Sequence, residues 1–367
     1  MCLRKEKVLL WGAGNTVREM LRNISCFHDC ISIIGIADND ERKWGTTIDG
    51  IRVTSFQEVL HTSFNKIVIA SGIYFDEIRS NLIEKWGIED EKIENQHYFA
   101  KIRLIARYCG SREKDIQNIV KYLETNRLDV FNYEFTEKYV NLNPEIFFDE
   151  DVNMFYVMHF GRKMYMARKL DTKQKVLKYY QSLCVEQDIE SPHLYLDEQF
   201  TVRKGDIVVD VGVAEGNFSL QIIDEVSKIY MIETDEEWIE ALRLTFASYT
   251  EKVVIINKFI SDYVLGNTDS LDNLIEDKVN FIKMDIEGCE CEALSGAKKL
   301  VEKSDRIKCA ICAYHRDNDE VQIEKIAHLM KLTKIPVKGY MYYYNDEKQR
   351  YISPILRRGV LRYEKRS

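Results

Sequence analysis

The chain has 367 residues, of which 45% are hydrophobic and 31% are charged, and its formal net charge is −8 at pH 7. This length suggests two or three domains, with enough apolar residues for well-packed cores. The acidic balance argues against nucleic acid or an anionic membrane as a partner of the whole surface.

The N-terminal residues are charged and lead straight into a predicted strand, which differs from a signal peptide. No apolar run reaches the roughly 18 residues that a membrane span needs. We therefore expect a cytoplasmic protein whose nine cysteines are reduced thiols. Cys309-x-x-Cys312, with Cys289 and Cys291 nearby, raises a zinc hypothesis. We do not favour it, because the first pair lies in a predicted strand, where residues three apart face opposite ways.

Residues 1–98 are predicted to form a small Rossmann-like domain, since strands alternate with helices. The predicted strands are 8–11, 31–37 and 67–70, and the predicted helices are about 15–24 and 74–86. Gly12 and Gly14 follow the first strand and Asp38 follows the second, which is half of a dinucleotide fingerprint. Val17 stands where that fingerprint has its third glycine. The pattern leaves open a purely structural domain, a nucleotide or nucleotide-sugar site that also includes Ser71, or NAD chemistry.

This first domain resembles the small Rossmann-like domains that precede sugar-modifying transferases. The resemblance rests on the segments WGAG, IIGIADND, GIRV and IVIASG. It implies that the domain can hold a nucleotide-activated sugar.

Residues 99–200 are predicted to be a mainly helical connector that covers part of a catalytic cleft. Helical periodicity runs over 114–125 and 165–183. The segment is rich in Phe and Tyr, which could form a dimer surface. Polar residues that could line a substrate pocket are His159, Arg162, Glu186, Gln187, Ser191 and His193.

Residues 201–367 are predicted to form a second α/β domain. Five strands alternate with helices and a closing antiparallel pair at 338–344 and 359–363 completes a seven-strand sheet. The five strands are predicted at 207–211, 228–232, 253–257, 279–284 and 307–314.

A glycine turn follows the first of these strands. Gly212 and Gly216 flank the small residue Ala214, and a helix is predicted to open at about Asn217. Glu233 ends the next strand, 21 residues beyond Gly212. An acid at this distance is placed to accept hydrogen bonds from ribose hydroxyls. Together these features predict an adenosine-binding site.

The second domain resembles the FkbM-type S-adenosylmethionine-dependent methyltransferases, most of which are O-methyltransferases. The residues that carry the resemblance are Asp210-Val-Gly212 with Gly216-Asn217, Ile232-Glu233, Phe281-Ile-Lys-Met-Asp-Ile-Glu-Gly288 and Ala310-Ile-Cys-Ala-Tyr-His315. Ala214 departs from the general glycine motif, but it is small enough for the cofactor to bind. The implied fold is the seven-strand class I methyltransferase sheet.

The resemblance also implies where the cofactor lies. Asp210, Gly212, Glu215 and Gly216 would surround its methionine part, and Glu233 would hold the ribose. Ser261 and Asp262 follow the third strand, where the adenine usually rests.

Methyl transfer to a hydroxyl needs alignment and removal of one proton. Asp285, Glu287 and His315 lie at predicted strand ends that face one crevice. His315 is our choice as the base, because its ordinary pKa suits proton uptake near neutral pH. The alternative is that His315 only hydrogen-bonds the turn at 285–287. The same three residues could also bind a divalent metal, although we favour the reaction without one. Two carboxylates and one imidazole suit several metals and do not select a particular ion.

The sequence thus predicts a methyltransferase acting on a small molecule, a sugar or glycan precursor of the kind used in polysaccharide biosynthesis. One alternative is an NAD-dependent sugar-modifying enzyme that uses the first domain. Another is a non-catalytic module that binds S-adenosylmethionine or a nucleotide-sugar.

Overall fold

The computed structural model describes residues 6–23, 31–343 and 356–365. The chain divides into two compact units, and the predicted connector at 99–200 is shared between them. The first unit takes the chain up to Tyr133 together with Tyr342–Leu356, and the second takes Glu134–Met341 and the chain from Arg357. Within the described ranges, no helix is long and apolar enough to cross a bilayer.

The first unit is built on a six-stranded sheet with the strand order β3-β4-β2-β1-β5-β6. All neighbouring strands are parallel except β3 and β4. The strands are β1 Glu6–Trp11, β2 Ile31–Ala37, β3 Thr47–Ile48, β4 Ile51–Thr54, β5 Lys66–Ile69 and β6 Ile93–Glu94. The helices are α1 Asn15–Asn23, α2 Phe56–Val59, α3 Phe75–Trp86, α4 Tyr98–Tyr108 and α5 Lys114–Leu123.

Strand β1 shows why this sheet is covered on both faces. Val8 and Leu10 lie in one buried cluster, and Leu9 and Trp11 lie in another. Alternate side chains of a strand point to opposite faces, so a continuous apolar strand needs packing on both sides. The predicted alternation of strands and helices around a mainly parallel sheet is therefore present in this unit.

The second unit is built on a seven-stranded sheet with the order β12-β11-β10-β15-β16-β20-β17. The first five strands in this order, β12, β11, β10, β15 and β16, are parallel. Strand β20 lies between β16 and β17 and is antiparallel to both. These strands are β10 Ile207–Val211, β11 Lys228–Glu233, β12 Val253–Asn257, β15 Phe281–Met284, β16 Ile307–Cys312, β17 Thr333–Ile335 and β20 Val360–Lys365. The α/β fold class and the seven-strand sheet predicted from the sequence are confirmed.

The remaining α-helices and strands belong to the second unit, except that β18 and β19 fall at the boundaries of the two units. The helices are α6 Glu137–Val140, α7 Lys173–Glu186, α8 Asn217–Ile222, α9 Glu236–Thr245, α10 Leu271–Leu274, α11 Glu290–Ser295, α12 Lys298–Lys303 and α13 Asp319–Leu329. The smaller strands are β7 Ile146–Asp149, β8 Met154–His159, β9 Arg162–Tyr165, β13 Phe259–Ile260, β14 Thr268–Asp269, β18 Met341–Tyr342 and β19 Leu356–Arg357. Short 3-10 helices occupy Glu41–Lys43, Asp90–Lys92, Glu134–Thr136 and Ala247–Tyr249.

Three predictions of secondary structure are wrong in detail. The segment predicted as mainly helical contains an antiparallel sheet of β7, β8 and β9, and its second helix starts at Lys173 instead of Tyr165. The antiparallel partners of β20 are β16 and β17, not the segment from Lys338. Gly339 has a φ of 75°, which interrupts an extended strand there. Tyr344, the predicted end of that strand, lies outside the described residues.

Candidate functional site

The turn after β10 brings two strand ends into close contact. Gly212 has a φ of 75°, and a Cβ atom on it would lie 1.8 Å from the carbonyl oxygen of Asp285. Only glycine allows both the left-handed backbone and this approach. Gly216 has a φ of 84° and faces the side chains of Leu242 and Phe246. Both predicted glycines are therefore required by the backbone.

Glu233, at the end of β11, lies against this turn as predicted. Its Oε2 atom accepts a hydrogen bond from the backbone N–H of Ala214 at 2.9 Å. Its Oε1 atom accepts from the N–H groups of Thr234 and Asp235, at 2.7 and 2.9 Å. The carboxylate is thus held in one orientation beside the glycine turn.

A buried ion pair lies beneath the same turn. Asp210 is fully buried, accepts a hydrogen bond from the Ser219 hydroxyl at 2.8 Å and lies 3.2 Å from the ammonium of Lys283. Burial would lower the pKa of Lys283, but Asp210 and Asp285 outweigh it and raise that pKa. Burial raises the pKa of Asp210 despite this partner. Lys283 is not among the residues predicted for the site, although it lies within the segment 281–288 that carries the family resemblance.

Glu215 and Asn217 are buried where the turn enters α8. The hydroxyl of Tyr179 donates a hydrogen bond to the Glu215 carboxylate. Burial raises the pKa of this carboxyl group. Tyr179 belongs to α7 and packs on Trp238, with ring centroids 5.4 Å apart. Helix α7 therefore closes one side of the turn.

Ser261 and Asp262 follow β13 and have different surroundings. Ser261 is buried, its N–H donates to the carbonyl of Asp269 at 2.9 Å, and its own carbonyl closely approaches Gly296. Asp262 is exposed, and its Oδ1 atom is 3.4 Å from the Ser261 hydroxyl. Of this predicted pair, only the carboxylate of Asp262 is freely available to a ligand.

Asp285, directly after β15, is the centre of a cluster of polar side chains. The Tyr195 hydroxyl donates to its Oδ2 atom at 2.7 Å, and the Tyr314 hydroxyl lies 3.4 Å from its Oδ1 atom. The Nε2 atoms of His193 and His315 lie 3.6 Å from Oδ2 and Oδ1, respectively. This cluster joins three segments that are remote in sequence.

The charges around Asp285 keep it ionised. Burial would raise its pKa, but His193, Lys283 and His315 outweigh burial and lower the pKa to about 2. The opposite holds for Glu186, at the end of α7, whose pKa is raised to about 8 by burial and by Asp285. Burial lowers the pKa of His193 to about 4, so this imidazole is neutral at pH 7.

His315 makes a contact that the sequence did not predict. Its Nδ1 atom lies 2.9 Å from Oε1 of Glu290, a fully buried carboxylate at the start of α11. Its Nε2 atom lies 3.5 Å from Oε2 of Glu287, whose side chain is 89% exposed. Burial would lower the pKa of His315, but Glu290, Asp285 and Glu287 outweigh it and raise that pKa.

The six polar residues predicted to line a substrate pocket separate into two groups, and Glu186 belongs with the first through its interaction with Asp285. His193 joins the Asp285 cluster, and Ser191 accepts a hydrogen bond from the His193 N–H at 3.1 Å. The Gln187 amide lies 3.5 Å from the His193 carbonyl. In contrast, His159 contacts the Tyr180 hydroxyl at 3.0 Å, and Arg162 donates to the Tyr249 hydroxyl at 2.7 Å.

The sequence suggests two different metal sites, one for zinc and one for a divalent ion at the strand ends. Cys309 and Cys312 lie in different buried clusters on opposite faces of β16, so they cannot bind one zinc ion together. For a divalent ion, the structure groups Asp285 and His315 with Glu290, each offering one atom within 4.8 Å of the others. Glu287, the third residue of the set predicted from the sequence, lies 3.5 Å from Nε2 of His315 but is not a member of this group.

In the first unit, Asp38 and Ser71 have different surroundings. Asp38 accepts hydrogen bonds from the Ala13 N–H at 2.6 Å and from the Lys43 ammonium at 2.9 Å, so its carboxylate fastens the glycine turn. Ser71 instead borders a cavity of about 550 Å³. The other residues that line the cavity are Thr16, Ala70, Gly72, Ile73 and Gln96.

Comparison with known families agrees with this geometry. Residues 167–342 match the model of the methyltransferase FkbM domain, and residues 4–94 match the model of the C2185-like N-terminal domain. The chain carries an FkbM methyltransferase domain. The predicted S-adenosylmethionine-dependent methyltransferase is confirmed. No curated protein matches the chain.

Several solved structures are similar to the chain. The methyltransferase FkbM from Methylobacillus flagellatus KT is 16% identical, with a TM-score of 0.46 over 99% of this chain and 90% of that one. TYW2 from M. jannaschii in complex with AdoMet is 12% identical, with a TM-score of 0.33 over 57% of this chain and 83% of that one. An rRNA methylase from Streptococcus thermophilus is 14% identical, with a TM-score of 0.31 over 45% of this chain and 90% of that one.

Proposed function

We propose that the FkbM domain transfers the methyl group of S-adenosylmethionine to a hydroxyl group of a small molecule. The observation that carries this proposal is the meeting of two clusters at one edge of the seven-stranded sheet. The Gly212 turn approaches the Asp285 carbonyl, so the adenosine-binding motif directly adjoins the cluster of Asp285 and His315. Ligands of open α/β sheets bind at this edge, outside the carboxyl ends of the strands.

On the donor side, the carboxylate of Glu233 accepts hydrogen bonds from the ribose hydroxyls of the cofactor. Each of its oxygens has further capacity besides the backbone N–H groups that now orient it. The residues proposed around the rest of the cofactor are Asp210, Gly212, Glu215, Gly216, Asn217 and Asp262, with the Ser261 hydroxyl supporting Asp262. Buried carboxylates suit the cationic sulfonium and ammonium groups of the cofactor, because a buried charge needs an opposite charge nearby.

On the acceptor side, the hydroxyl oxygen attacks the methyl carbon and a C–O bond forms. The C–S bond breaks, its electron pair goes to sulfur, and S-adenosylhomocysteine leaves. The hydroxyl proton goes to Nε2 of His315, with Asp285 and Glu287 beside the resulting imidazolium. A positioned base of this kind contributes roughly 10²–10⁴-fold to the rate.

We propose a sugar or glycan precursor as the acceptor, which rests on the sequence resemblance of both domains. A net charge of −8 favours such a molecule over RNA, since RNA binding relies on basic residues that contact phosphates. A radiometric screen with labelled S-adenosylmethionine would compare nucleotide-sugars, free sugars and total RNA as acceptors. Preferential labelling of RNA would contradict this choice of acceptor.

The first test is calorimetric titration with S-adenosylhomocysteine. We expect micromolar binding to the wild type and at least about tenfold weaker binding to Glu233→Ala, since a charge-assisted hydrogen bond contributes about 1.5–3 kcal/mol. Glu251→Ala is the control, because Glu251 is an exposed acid in a turn. Absence of heat with the folded wild type would refute the cofactor assignment. Tight binding with no labelled acceptor in a broad screen would favour a non-catalytic module.

A further inference from the structure

Glu290 occupies an unusual position for a carboxylate. It is fully buried, and its Oε1 atom accepts a hydrogen bond from the Ile286 N–H at 2.9 Å. The same Oε1 atom lies 2.9 Å from Nδ1 of His315. Its Oε2 atom has no hydrogen-bond partner among the described residues. A buried carboxylate is costly unless an opposite charge compensates it, and the imidazole of His315 is the group placed to do so.

The contact is made by one specific atom of the imidazole. An ionised carboxylate can only accept hydrogen bonds, so the 2.9 Å contact with Oε1 favours a proton on Nδ1. In the neutral ring, Nε2 is then the unprotonated nitrogen. That nitrogen is itself buried and faces Asp285 and Glu287, the second of which has an exposed side chain.

We propose that Glu290 is a positioning residue, which holds the Nδ1–H group of His315 and so leaves Nε2 as the atom that accepts the proton of the acceptor hydroxyl. The catalytic part of this inference rests on the proposed methyl transfer, whereas the tautomer of His315 does not. Glu290 itself would not touch the acceptor. It acts through the histidine, as the buried carboxylate of a catalytic triad does.

Other charged groups also face His315. Asp285 and Glu287 approach it from the loop after β15, Asp319 from α13 and His193 from the segment after α7. Among the contacts found at Nδ1, Glu290 is at hydrogen-bonding distance, while Asp285 and Glu287 lie nearer Nε2. Removing the charge of Glu290 should therefore change both the tautomer and the basicity of His315.

Glu290 could instead serve only to fasten the loop before α11 through the Ile286 N–H. Glu290→Gln separates the two roles, because the amide oxygen can still accept from Ile286 and from His315 but carries no charge. Glu292→Gln is the matched control, since Glu292 lies on the same helix and pairs with Arg316 at 2.9 Å.

The experiment is a pH titration of the full chain, labelled with ¹³C and ¹⁵N in its seven histidines and followed by NMR. The His315 signal is assigned by its loss in His315→Gln. In the wild type we expect a midpoint above 6.5 and a neutral ring protonated at Nδ1. Glu290→Gln should lower the midpoint by about one pH unit, whereas Glu292→Gln should leave it unchanged.

A neutral wild-type ring protonated at Nε2 would overturn the inference, and so would an unchanged midpoint in a folded Glu290→Gln. If that variant does not fold, the wild-type tautomer alone decides. A midpoint that changes on chelation with EDTA would also overturn it, because Glu290 would then act as a metal ligand. Failure of S-adenosylhomocysteine to bind would refute the proposed function separately, since the titration needs no cofactor.

Discussion

Replacing Gly212 by alanine tests the close approach of the two strand ends on which the site depends. The new Cβ atom would lie 1.8 Å from the Asp285 carbonyl oxygen and 2.9 Å from Cγ2 of Ile286. An ordinary contact would need about 3.4 Å between the new Cβ atom and the carbonyl oxygen, so the carbonyl would have to move by about 1.6 Å. The obstacle is backbone in a central strand end, which cannot rotate away as a side chain can.

Two further glycines divide this effect into its parts. Gly205 has a φ of 84° with no atom within 4 Å of its would-be Cβ, so Gly205→Ala measures the left-handed backbone alone. Gly296 has a φ of −75°, yet its Cβ would lie 2.0 Å from the Ser261 carbonyl, so Gly296→Ala measures the steric conflict alone. We expect Gly205→Ala to lower the free energy of unfolding by about 1–2 kcal/mol. Gly212→Ala should lower it by at least about 4 kcal/mol.

Scanning calorimetry of the full chain is the assay. At roughly 2–4 °C per kcal/mol for a unit of this size, Gly205→Ala should lower the midpoint by only a few degrees. Gly212→Ala should lower it by more than about 8 °C and abolish binding of S-adenosylhomocysteine. A midpoint for Gly212→Ala within about 2 °C of that for Gly205→Ala would refute the reasoning, because the Asp285 carbonyl would then be free to move.

Three more predictions follow from the charged groups. Turnover should rise as the pH passes through the raised pKa of His315 and should fall roughly 10²–10⁴-fold in His315→Gln. That variant should still bind S-adenosylhomocysteine, and a near-wild-type rate with the labelled acceptor would remove the base assignment. Turnover should survive exhaustive chelation, and its loss with recovery on adding Mn²⁺ would instead support the metal hypothesis. In the first unit, Arg79 and Arg127 lower the pKa of Asp90 to about 2, so the stability it contributes is present above pH 3.8 and is lost as the pH falls toward 2. By calorimetry, Asp90→Asn should lower the free energy of unfolding by about 1 kcal/mol at pH 7 and by little at pH 2. The effect is small because the ion pair is partly exposed.

The errors in predicted secondary structure have a common cause. Strands β7, β8 and β9 are short and mix buried, half-buried and exposed residues without strict alternation, so their apolar pattern does not separate them from helix. Thr333–Ile335 is short and largely exposed, and it becomes a strand because β20 supplies its hydrogen bonds. In both cases the strand depends on a partner that the local sequence does not show.

The sequence by itself determined the elements whose signals are local. A β-branched run, a glycine turn and an acid at the next strand end predict a nucleotide fold wherever they occur together, because backbone geometry and side-chain period are properties of neighbouring residues. Only the tertiary structure decided which side chains share a site. It brought Tyr195 and His193 to Asp285 and Glu290 to His315, while it tied Asp38 to its own turn. These contacts depend on which strands are neighbours and on how far each loop reaches, and no spacing along the chain records that.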